Sequence, residues 1–277
     1  MQGKRILITG GNSGIGVVAA RELARQGAEV VLACRDSEKT RQALAVINAV
    51  ATVPAVNLPV DLSSLASVRS LAAAFLERYD RLDVLVNNAG LFPSRQQLTA
   101  DGFEMQFGVN HLSHFLLTHL LLDRLKASAP ARVVTVSSML HKKGRIDFDS
   151  FRGAKKYSAQ AAYNQSKLAN VLFAVELARR LEGTGVTSNV LHPGGVATDI
   201  MRDLPWIVRK LVGLAFISPE EGAKTTIMLA SDPALANVSG AYFDQCKRAE
   251  CSPLANDDAL RRRLWDVSAE LVGLTSA

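Results

Sequence analysis

A tyrosine and a lysine four residues apart, Tyr163 and Lys167, lie in a stretch with helical spacing. Residues four apart project from one face of a helix, with their side-chain bases roughly 6 Å apart. A phenol has a reference pKa of about 10, which is too high for efficient proton transfer at neutral pH. A nearby ammonium group stabilises the phenolate and lowers that pKa, so the pair could act as a general acid and base. The spacing is common on helices, and a half-buried tyrosine beside a solvated lysine is the alternative interpretation.

Three further polar motifs each follow a predicted strand. They are Asn87-Asn88-Ala89-Gly90 after Asp83–Val86, Ser137-Ser138 after Arg132–Val136, and His192-Pro193-Gly194 after Thr187–Leu191. In a doubly wound sheet, ligands bind in the crevice outside the carboxyl ends of the strands. We therefore expect these motifs to converge on one crevice, although they are far apart in the sequence.

A glycine-rich loop directly follows the first predicted strand, Arg5–Thr9, and leads into a helix. Gly10 permits a tight turn, Gly14 lets the backbone approach a pyrophosphate, and Gly16 lets the helix pack closely on the sheet. The N-terminus of that helix offers unpaired N–H groups and the positive end of its dipole to a phosphate. A glycine-rich surface turn is the alternative, but the order strand, loop, helix favours a dinucleotide. The predicted contacts of this loop are Gly10, Asn12, Ser13, Gly14, Ile15 and Gly16.

The residues that end the second predicted strand indicate which dinucleotide to expect. An NAD-binding site places a carboxylate at this tip, where it accepts hydrogen bonds from the adenosine ribose. Here Cys34 stands at the tip and Arg35 follows it. A guanidinium group can hold the 2′-phosphate of NADP through paired, charge-assisted hydrogen bonds. The sequence therefore predicts NADP(H), although a shift of one residue in register would make Asp36 an NAD-type carboxylate.

Short β-branched apolar runs alternate with longer amphipathic segments along the chain. The predicted strands are Arg5–Thr9, Glu29–Ala33, Ala55–Val60, Asp83–Val86, Arg132–Val136, Thr187–Leu191 and Ala241–Phe243. The predicted helices between them include Gly16–Gln26, Ser64–Tyr79, Gly102–Ala127 and Ser158–Leu181. Continuous apolar strands are typical of a sheet buried on both faces, and helical spacers of this length make parallel crossovers. The pattern predicts an α/β fold with a single doubly wound parallel sheet and helices on both faces.

No repeat, low-complexity tract or flexible linker divides the chain, so we expect one domain over residues 1–277. Two irregular segments interrupt the alternation. Met139–Lys156 is polar and basic, whereas Met201–Ile217 is apolar and carries basic residues. The second segment is either a lid over a lipophilic substrate or a membrane-surface contact, and a lid over 198–218 is the favoured interpretation. Residues 244–277 form the predicted C-terminal tail.

The composition is that of a globular protein, with 48% hydrophobic and 21% charged residues. The formal charge of +6 favours anionic partners, but no basic stripe with interleaved aromatic residues indicates nucleic acid. The three cysteines lack a CxxC spacing and resemble the reduced thiols of a cytoplasmic protein. No apolar stretch approaches the roughly 20 residues that span a membrane, and the first strand begins too early for a signal peptide or an anchor. We expect a cytoplasmic location and no stable membrane insertion.

Three histidines share one helical region, at His111, His114 and His119. Their spacing does not provide a pair four residues apart together with a third ligand. We therefore expect structural roles for them and no metal site.

The motifs, taken in order, resemble those of the short-chain dehydrogenase/reductase family. They are the glycine loop, Asp61-Leu62, Asn88-Ala89-Gly90, Asn110, Ser138, Tyr163 with Lys167, and His192-Pro193-Gly194 followed by Thr198. The finer resemblance is to the retinol dehydrogenase-like branch, which includes the catalytic domain of the WW-domain oxidoreductase. The segments that carry it are Ala33-Cys34-Arg35, Val109–Thr118, Tyr163–Asn170 and Leu264–Ser268. The similarity extends from Lys4 to about Leu274 and implies a Rossmann fold.

The resemblance implies a role for each matching residue. Tyr163 would donate or accept the proton, Ser138 would hold the substrate oxygen, and Lys167 would bind the nicotinamide ribose and lower the pKa of the tyrosine. Asn110 would distort its helix and seat a proton-relay water. The other implied cofactor contacts are Asp61 and Leu62 at the adenine, Asn88, Ala89 and Gly90 at the ribose, and Pro193, Gly194, Val196 and Thr198 near the carboxamide. Ser113 departs from the family pattern, which has glycine there.

The predicted function is an NADP-dependent oxidoreductase that transfers a hydride between nicotinamide and a lipophilic alcohol, aldehyde or ketone. A non-catalytic NADP sensor or scaffold on the same fold is the alternative, but it would not need the full set of Asn110, Ser138, Tyr163 and Lys167. A sugar-nucleotide epimerase shares the Tyr and Lys spacing, but it usually has a different glycine loop and a longer substrate domain. A homodimer is possible.

Overall fold

A sheet at the centre of the fold carries the predicted crevice. In residues 1–195 and 217–274, which the computed structural model describes, eight strands pair in the order β3-β2-β1-β4-β5-β6-β7-β8. In chain order these are β1 (Arg5–Thr9), β2 (Glu29–Cys34), β3 (Val56–Pro59), β4 (Val84–Asn87), β5 (Ala131–Val136), β6 (Val186–His192), β7 (Tyr242–Asp244) and β8 (Lys247–Ala249). Strands β1 to β7 pair in parallel. The strand order reverses between β1 and β4, and this switch point is where a doubly wound sheet opens its ligand crevice.

Helices cover both faces of the sheet. They are α1 (Gly14–Arg25), α2 (Glu38–Asn48), α3 (Leu65–Arg78), α4 (Met105–Phe107), a π-helical turn (Gly108–Leu112), α5 (Ser113–Leu120), α6 (Leu122–Ala127), α7 (Ala159–Arg180), α8 (Pro219–Ser231) and α9 (Asp258–Leu271). Alternate residues of a strand face opposite sides. Accordingly, Leu7 packs into one core with α3, α5, α7 and α9, whereas Ile6 and Ile8 pack into a second core with α1, α2 and α8. The predicted fold class is confirmed.

An antiparallel edge strand, β8, was not predicted from the sequence. It pairs with β7 through a two-residue turn, with Asp244 opposite Lys247. Both turn residues, Gln245 (φ 46°) and Cys246 (φ 62°), have positive φ, as a type I′ hairpin turn requires. The usual Asn-Gly signal is missing and the residues of β8 are exposed, so no apolar alternation marks the strand.

The predicted helix Gly102–Ala127 is divided in the structure. It begins only at Met105, because the Glu104 carboxylate caps it by accepting hydrogen bonds from the backbone N–H groups of Gln106 and Phe107. The π-helical turn then separates α4 from α5. The amphipathic pattern continues through these changes of winding, so the sequence predicted a single element.

Helix α7 is buried on nearly all sides, and it carries Tyr163 and Lys167. The segment Met139–Lys156 forms two short 3₁₀ turns, Met139–Lys143 and Phe148–Ser150, and packs against the start of the helix. The segment approaches α7 closely at Gly144, where a Cβ would lie 2.5 Å from the carbonyl oxygen of Asn164. A side chain at Gly144 would therefore push this segment away from α7.

The C-terminal helix α9 covers the outer side of α5 and α7. The Trp265 ring stacks on Phe173 (centroids 5.9 Å apart) and meets Phe115 edge-on (5.0 Å), while the guanidinium group of Arg180 lies 4.3 Å from its centroid. The buried Glu176 carboxylate of α7 pairs with Arg180 at 2.8 Å, and Arg261 of α9 approaches it at 3.8 Å. Aromatic packing and charge together hold the predicted C-terminal tail on the domain.

The predicted lid over 198–218 lies outside the described residues except for Ile217 and Ser218. None of the helices that the structure describes is long and apolar enough to cross a membrane.

Replacement of Trp265 by alanine should release α9 from the domain. Loss of a buried tryptophan costs about 3–5 kcal/mol, because the aromatic contacts are lost and a cavity remains. The free energy of unfolding from urea titrations should fall by that amount, and amide exchange should increase along α9. Glu270→Ala, at an exposed position of the same helix, is the control and should change stability by less than about 0.5 kcal/mol. Equal stabilities of the two variants would contradict this packing.

Candidate active site

The loop after β1 has the geometry that its glycines predicted. Gly10 (φ 65°) and Gly14 (φ 51°) adopt the left-handed conformation, which favours glycine. A Cβ at Gly16 would overlap the Gly10 carbonyl oxygen and lie 2.7 Å from the side-chain nitrogen of Asn88. Helix α1 can start this close to β1 and to the residues after β4 because these positions lack side chains.

The hydroxyl group of Thr9 connects this loop to the motif after β4. It accepts hydrogen bonds from the backbone N–H groups of Asn88 (2.9 Å) and Ala89 (3.0 Å), and it lies 2.8 Å from Nε2 of His114. Nδ1 of His114 lies 3.0 Å from the carbonyl oxygen of Asn110, which can only accept. The histidine proton is therefore on Nδ1, and the Thr9 hydroxyl donates to Nε2. The Asn88 side chain donates to the carbonyl oxygen of Thr9 (2.9 Å), so both motifs are fixed on the end of β1.

Asn110 lies within the π-helical turn, so its helix is distorted as the family resemblance implied. Its side chain is buried, and both its oxygen and its nitrogen are hydrogen-bonded. Oδ1 accepts from the backbone N–H of Leu91 (2.9 Å), while Nδ2 donates to the Leu91 carbonyl (3.1 Å) and to the Ser166 hydroxyl (3.0 Å). Asn110 thus joins the segment after Gly90 to the helix that carries Tyr163.

Tyr163, Lys167 and Ser138 meet between β5 and α7. The Nζ of Lys167 is buried, donates to the Val136 carbonyl (3.2 Å) and lies 5.7 Å from the centroid of the Tyr163 ring. Ser138 is hydrogen-bonded to the phenol of Tyr163, and its Oγ accepts from the backbone N–H of Leu140 (3.3 Å). The hydroxyl of the neighbouring Ser137 donates instead to the Lys167 carbonyl (2.7 Å), which assigns it to packing.

A model of the short chain dehydrogenase family matches residues 4–205. This chain belongs to that family.

The relatives place the dehydrogenase on the retinol dehydrogenase-like branch, as the sequence predicted. Human retinol dehydrogenase 14 is 48% identical over an alignment that covers 99% of this chain and 88% of that protein. Human retinol dehydrogenase 13 is also 48% identical, with 98% and 85% covered. The dehydrogenase is therefore an oxidoreductase of this branch.

Solved structures share the fold over most of the chain. An uncharacterised protein from Mycobacterium paratuberculosis is 35% identical and superposes with a TM-score of 0.78, covering 98% of this chain and 94% of that one. The Pseudomonas aeruginosa RhlG/NADP active-site complex is 29% identical with a TM-score of 0.72, covering 88% and 95%.

Burial controls the titration of the two central side chains of the dehydrogenase. It raises the pKa of Tyr163 to about 12, although the hydrogen bond with Ser138 acts in the opposite direction. It lowers the pKa of Lys167 to about 8. The expectation of a lowered tyrosine pKa is not met in the protein alone, because removal of the phenolate from water outweighs the hydrogen bond with Ser138.

The end of β2 bears on the choice of dinucleotide. Cys34 is the last residue of the strand and is buried, whereas Arg35 and Asp36 are both exposed beyond it. Asp36 forms an ion pair with Arg41 at 3.5 Å. Cys34, and not Asp36, therefore occupies the strand tip, as the favoured register predicted.

The loop after β2 is tied to the glycine loop through Thr40. The buried Thr40 hydroxyl donates to the carbonyl oxygen of Arg35 (2.7 Å) and accepts from Nδ2 of Asn12 (2.9 Å). The Asn12 side chain, predicted as a phosphate contact, is hydrogen-bonded inside the protein. Ser13 precedes α1 in extended conformation and makes no side-chain capping bond to that helix.

The remaining predicted contacts lie at the edges of the crevice. Asp61 and Leu62 follow β3, where the Asp61 carboxylate accepts from the Ser63 backbone N–H (2.9 Å) and hydroxyl (2.7 Å). Gly194 (φ 90°), after Pro193, packs so closely on the Ile217 side chain that a Cβ there would overlap it. Val196 and Thr198 are outside the described residues.

Sequence reasoning missed four residues that organise the site, namely Thr9, Thr40, His141 and Phe92. The Phe92 ring meets that of Tyr163 edge-on, with centroids 5.1 Å apart. The two threonines and the histidine are buried and hydrogen-bonded. Their positions near the recognised motifs could have suggested that they belong to the site. The sequence pattern could not identify their hydrogen-bond partners, because it indicates burial and not which atoms meet.

The three helical histidines have structural partners, and among the described residues no group of three or more metal-ligating side chains could hold a metal ion. Besides His114, the Nε2 of His111 lies 2.9 Å from the Ser268 hydroxyl and the Nδ1 of His119 lies 3.1 Å from the Phe115 carbonyl oxygen. The departure at Ser113 fits the same helix, since its hydroxyl donates to the Val109 carbonyl at 2.7 Å.

Replacement of Lys167 by methionine should stabilise the protein at neutral pH. Burial lowers the pKa of this lysine from its ordinary 10.5 to about 8, so the folded state disfavours the charged form. Between these two pH values the unfolded chain binds more protons than the folded one, and the stability of the wild type rises with pH. The advantage of Lys167→Met should therefore shrink from pH 8 to 10.5 in urea titrations. Lys126→Met, at an exposed position on α6, controls for the loss of a lysine, and a pH-independent advantage would contradict the argument.

Proposed function

We propose that this chain is an NADP-dependent oxidoreductase that transfers a hydride between nicotinamide and a lipophilic alcohol, aldehyde or ketone. The observation that carries the proposal is the convergence of Ser138, Tyr163 and Lys167 on the sheet edge that also carries the glycine loop. A sensor or scaffold needs the loop but gains nothing from a buried lysine beside a buried tyrosine.

The residues at this edge fit a dinucleotide. The glycines remove the side chains that would otherwise fill the space above α1 and beside Lys167; a Cβ at Gly90 would lie 3.2 Å from the Lys167 Nζ. The first turn of α1, without a side-chain cap at Ser13, offers N–H groups to a pyrophosphate. An ammonium group has three donors, so Lys167 can bind ribose hydroxyls in addition to the Val136 carbonyl. Asn88 and Ala89 would form the wall of this ribose site.

The protein's own groups handle the proton. In reduction, Tyr163 donates its phenolic proton to the substrate oxygen, and its raised pKa keeps it protonated at neutral pH. The Ser138 hydroxyl, whose Oγ accepts from Leu140, would donate its proton to the same substrate oxygen in place of the Tyr163 phenol. Asn110 holds the segment after Gly90 in place. When bound, the nicotinamide supplies the hydride in reduction and accepts it in oxidation.

The preference for NADP rests on the end of β2. No carboxylate stands at the strand tip, the Asp36 carboxylate is paired with Arg41, and Arg35 is exposed where a 2′-phosphate would lie. The Thr40 hydroxyl holds the Arg35 carbonyl at 2.7 Å, which limits the positions that the guanidinium group can reach. The similar Pseudomonas aeruginosa structure is an NADP complex.

A lipophilic substrate agrees with the apolar groups around the reacting side chains. The Phe92 ring lies against Tyr163, and Met139, directly after Ser138, is 56% exposed. The relatives named above are retinol dehydrogenases, so retinoids belong in a substrate panel of alcohols, aldehydes, ketones and quinones. The cytoplasmic location, the metal-free reaction and a homodimer remain predictions from the sequence.

Tyr163→Phe should abolish turnover while keeping the cofactor bound. The phenylalanine ring preserves packing against Phe92 but has no proton to transfer, and a positioned proton donor contributes about 10²–10⁴-fold to the rate. NADPH consumption should fall by at least that order, with an unchanged dissociation constant for NADPH by fluorescence titration. Tyr157→Phe is a matched control, because this second tyrosine is hydrogen-bonded to Gln106 and Glu104. Near-normal turnover by Tyr163→Phe would contradict the role of Tyr163 as the proton donor, whereas NADPH binding with no turnover by the wild type would favour the sensor alternative.

Arg35→Ala should reduce the preference for NADP over NAD at least tenfold. One charge-assisted contact to the 2′-phosphate is enough for this change, since a tenfold ratio corresponds to about 1.4 kcal/mol. The ratio of the two dissociation constants is the measurement. Asp36→Asn should leave the preference for NADP intact or increase it, because the Asp36 carboxylate is paired with Arg41. Loss of NAD binding in Asp36→Asn, with no effect of Arg35→Ala, would reverse the assignment.

A further inference from the structure

His141 is a completely buried histidine directly behind Ser138. It belongs to the 3₁₀ turn Met139–Lys143, which begins after that serine. Its Nδ1 lies 2.6 Å from the carbonyl oxygen of Ser138. Its backbone N–H also donates to the same carbonyl oxygen, at 3.0 Å. Two hydrogen bonds from one residue therefore fix the peptide group of Ser138.

The second ring nitrogen of His141 reaches the C-terminal tail. The backbone N–H of Ser252 donates to Nε2 at 3.0 Å. A backbone N–H can only donate, so Nε2 carries no proton and Nδ1 is the protonated nitrogen. The hydrogen-bond partners thus select a neutral imidazole with a defined tautomer, which bridges the Ser138 carbonyl and the Ser252 amide.

The surroundings of the ring keep it neutral. The ring of Tyr242 on β7 lies 4.9 Å from it, centroid to centroid. Burial lowers the pKa of His141, a backbone hydrogen bond with Ser138 opposes this, and the charge of Lys142 adds to the lowering. A positively charged ring would have protons on both nitrogens and would lose the bond from Ser252.

Ser252 is connected in turn to helix α9. It is buried and precedes the 3₁₀ turn Pro253–Asn256. The guanidinium group of Arg261 on α9 donates to the Ala255 carbonyl in that turn, and the same side chain approaches Glu176 on α7. A continuous set of contacts therefore runs from the docked C-terminal helix to the peptide group of Ser138.

We propose that His141 is a positioning residue, which uses the Ser252 amide of the C-terminal tail to hold Ser138 in the orientation that its hydroxyl needs. The proposal rests on the proposed function only for the part that concerns turnover. It makes the tail a component of the active site that acts on Ser138 through the His141 ring.

The sharpest test removes one N–H group. Ser252 has φ −57°, which proline also adopts, so Ser252→Pro deletes the donor to His141 with little backbone strain. Ser252→Ala is the matched control, because it removes the hydroxyl group but keeps the N–H. Two variants of the histidine complete the set. His141→Phe removes both ring hydrogen bonds, whereas His141→Asn retains a donor near the position of Nδ1.

We expect Ser252→Pro to lower kcat by about 10- to 100-fold, since a small displacement of a reacting group has effects of that size. The dissociation constant for NADPH should stay within twofold of the wild type, and Ser252→Ala should resemble the wild type in both measurements. His141→Asn should retain more activity than His141→Phe. Equal kcat values for Ser252→Pro and Ser252→Ala, measured on folded protein, would overturn the proposal, as would a loss of thermal stability with unchanged kcat.

Two readouts do not depend on turnover. In ¹⁵N-labelled wild-type protein, the ring of His141 should show a protonated Nδ1 and an unprotonated Nε2 at neutral pH. Amide exchange at Leu140 and His141 should be faster in Ser252→Pro than in Ser252→Ala, because the turn after Ser138 is then less restrained. The opposite tautomer, or equal exchange in both variants, would overturn the coupling. If the wild type oxidised or reduced nothing while these readouts behaved as expected, the proposed function would fail and the coupling would stand.

Discussion

The arrangement of the site depends on the hydroxyl group of Thr9. It accepts the two consecutive backbone N–H groups of Asn88 and Ala89 and donates to the ring of His114, whose other nitrogen holds the Asn110 carbonyl. Buried N–H groups without partners would cost about 1–3 kcal/mol each. One side chain at the end of β1 thus satisfies the loop after β4 and fixes it relative to the π-helical turn. Loss of this hydroxyl would free the loop after β4 from the glycine loop and from the π-helical turn.

Tyr163 and Lys167 stand in a region from which water is largely removed, and this is unfavourable for their charged forms. Burial moves the pKa of Lys167 down and that of Tyr163 up, so each change opposes the charged form. Groups whose pKa values are shifted against their charged forms are typical of sites at which a ligand supplies the compensating charge. The stability that the protein forgoes at Lys167 is consistent with a position kept for chemistry, because methionine would pack there without a charge.

Helix α7, which carries Tyr163, is enclosed by parts of the chain that are distant from it in sequence, including the C-terminal helix α9. The helix is covered by the sheet on one side and by the Met139–Lys156 segment and α9 on the others. Close packing transmits small displacements, since a dense interior has no room to absorb them. Both Ser138, through His141, and Tyr163, through α7, therefore depend on how the C-terminal helix docks. The predicted tail is a structural part of the domain.

The sequence by itself determined the order of strands and helices, the doubly wound sheet and the residue types at its carboxyl edge, because periodicity reports which faces are buried. It also placed Cys34 at the tip of β2. Only the tertiary structure paired the Asn12 side chain with Thr40, began helix α4 at Met105 under the Glu104 cap, formed β8 and raised the pKa of Tyr163. The bridge from Ser138 through His141 to Ser252 belongs to the same group. These features depend on distances between atoms that are remote in the chain and on how much water their contacts exclude. A local pattern of residues predicts neither quantity.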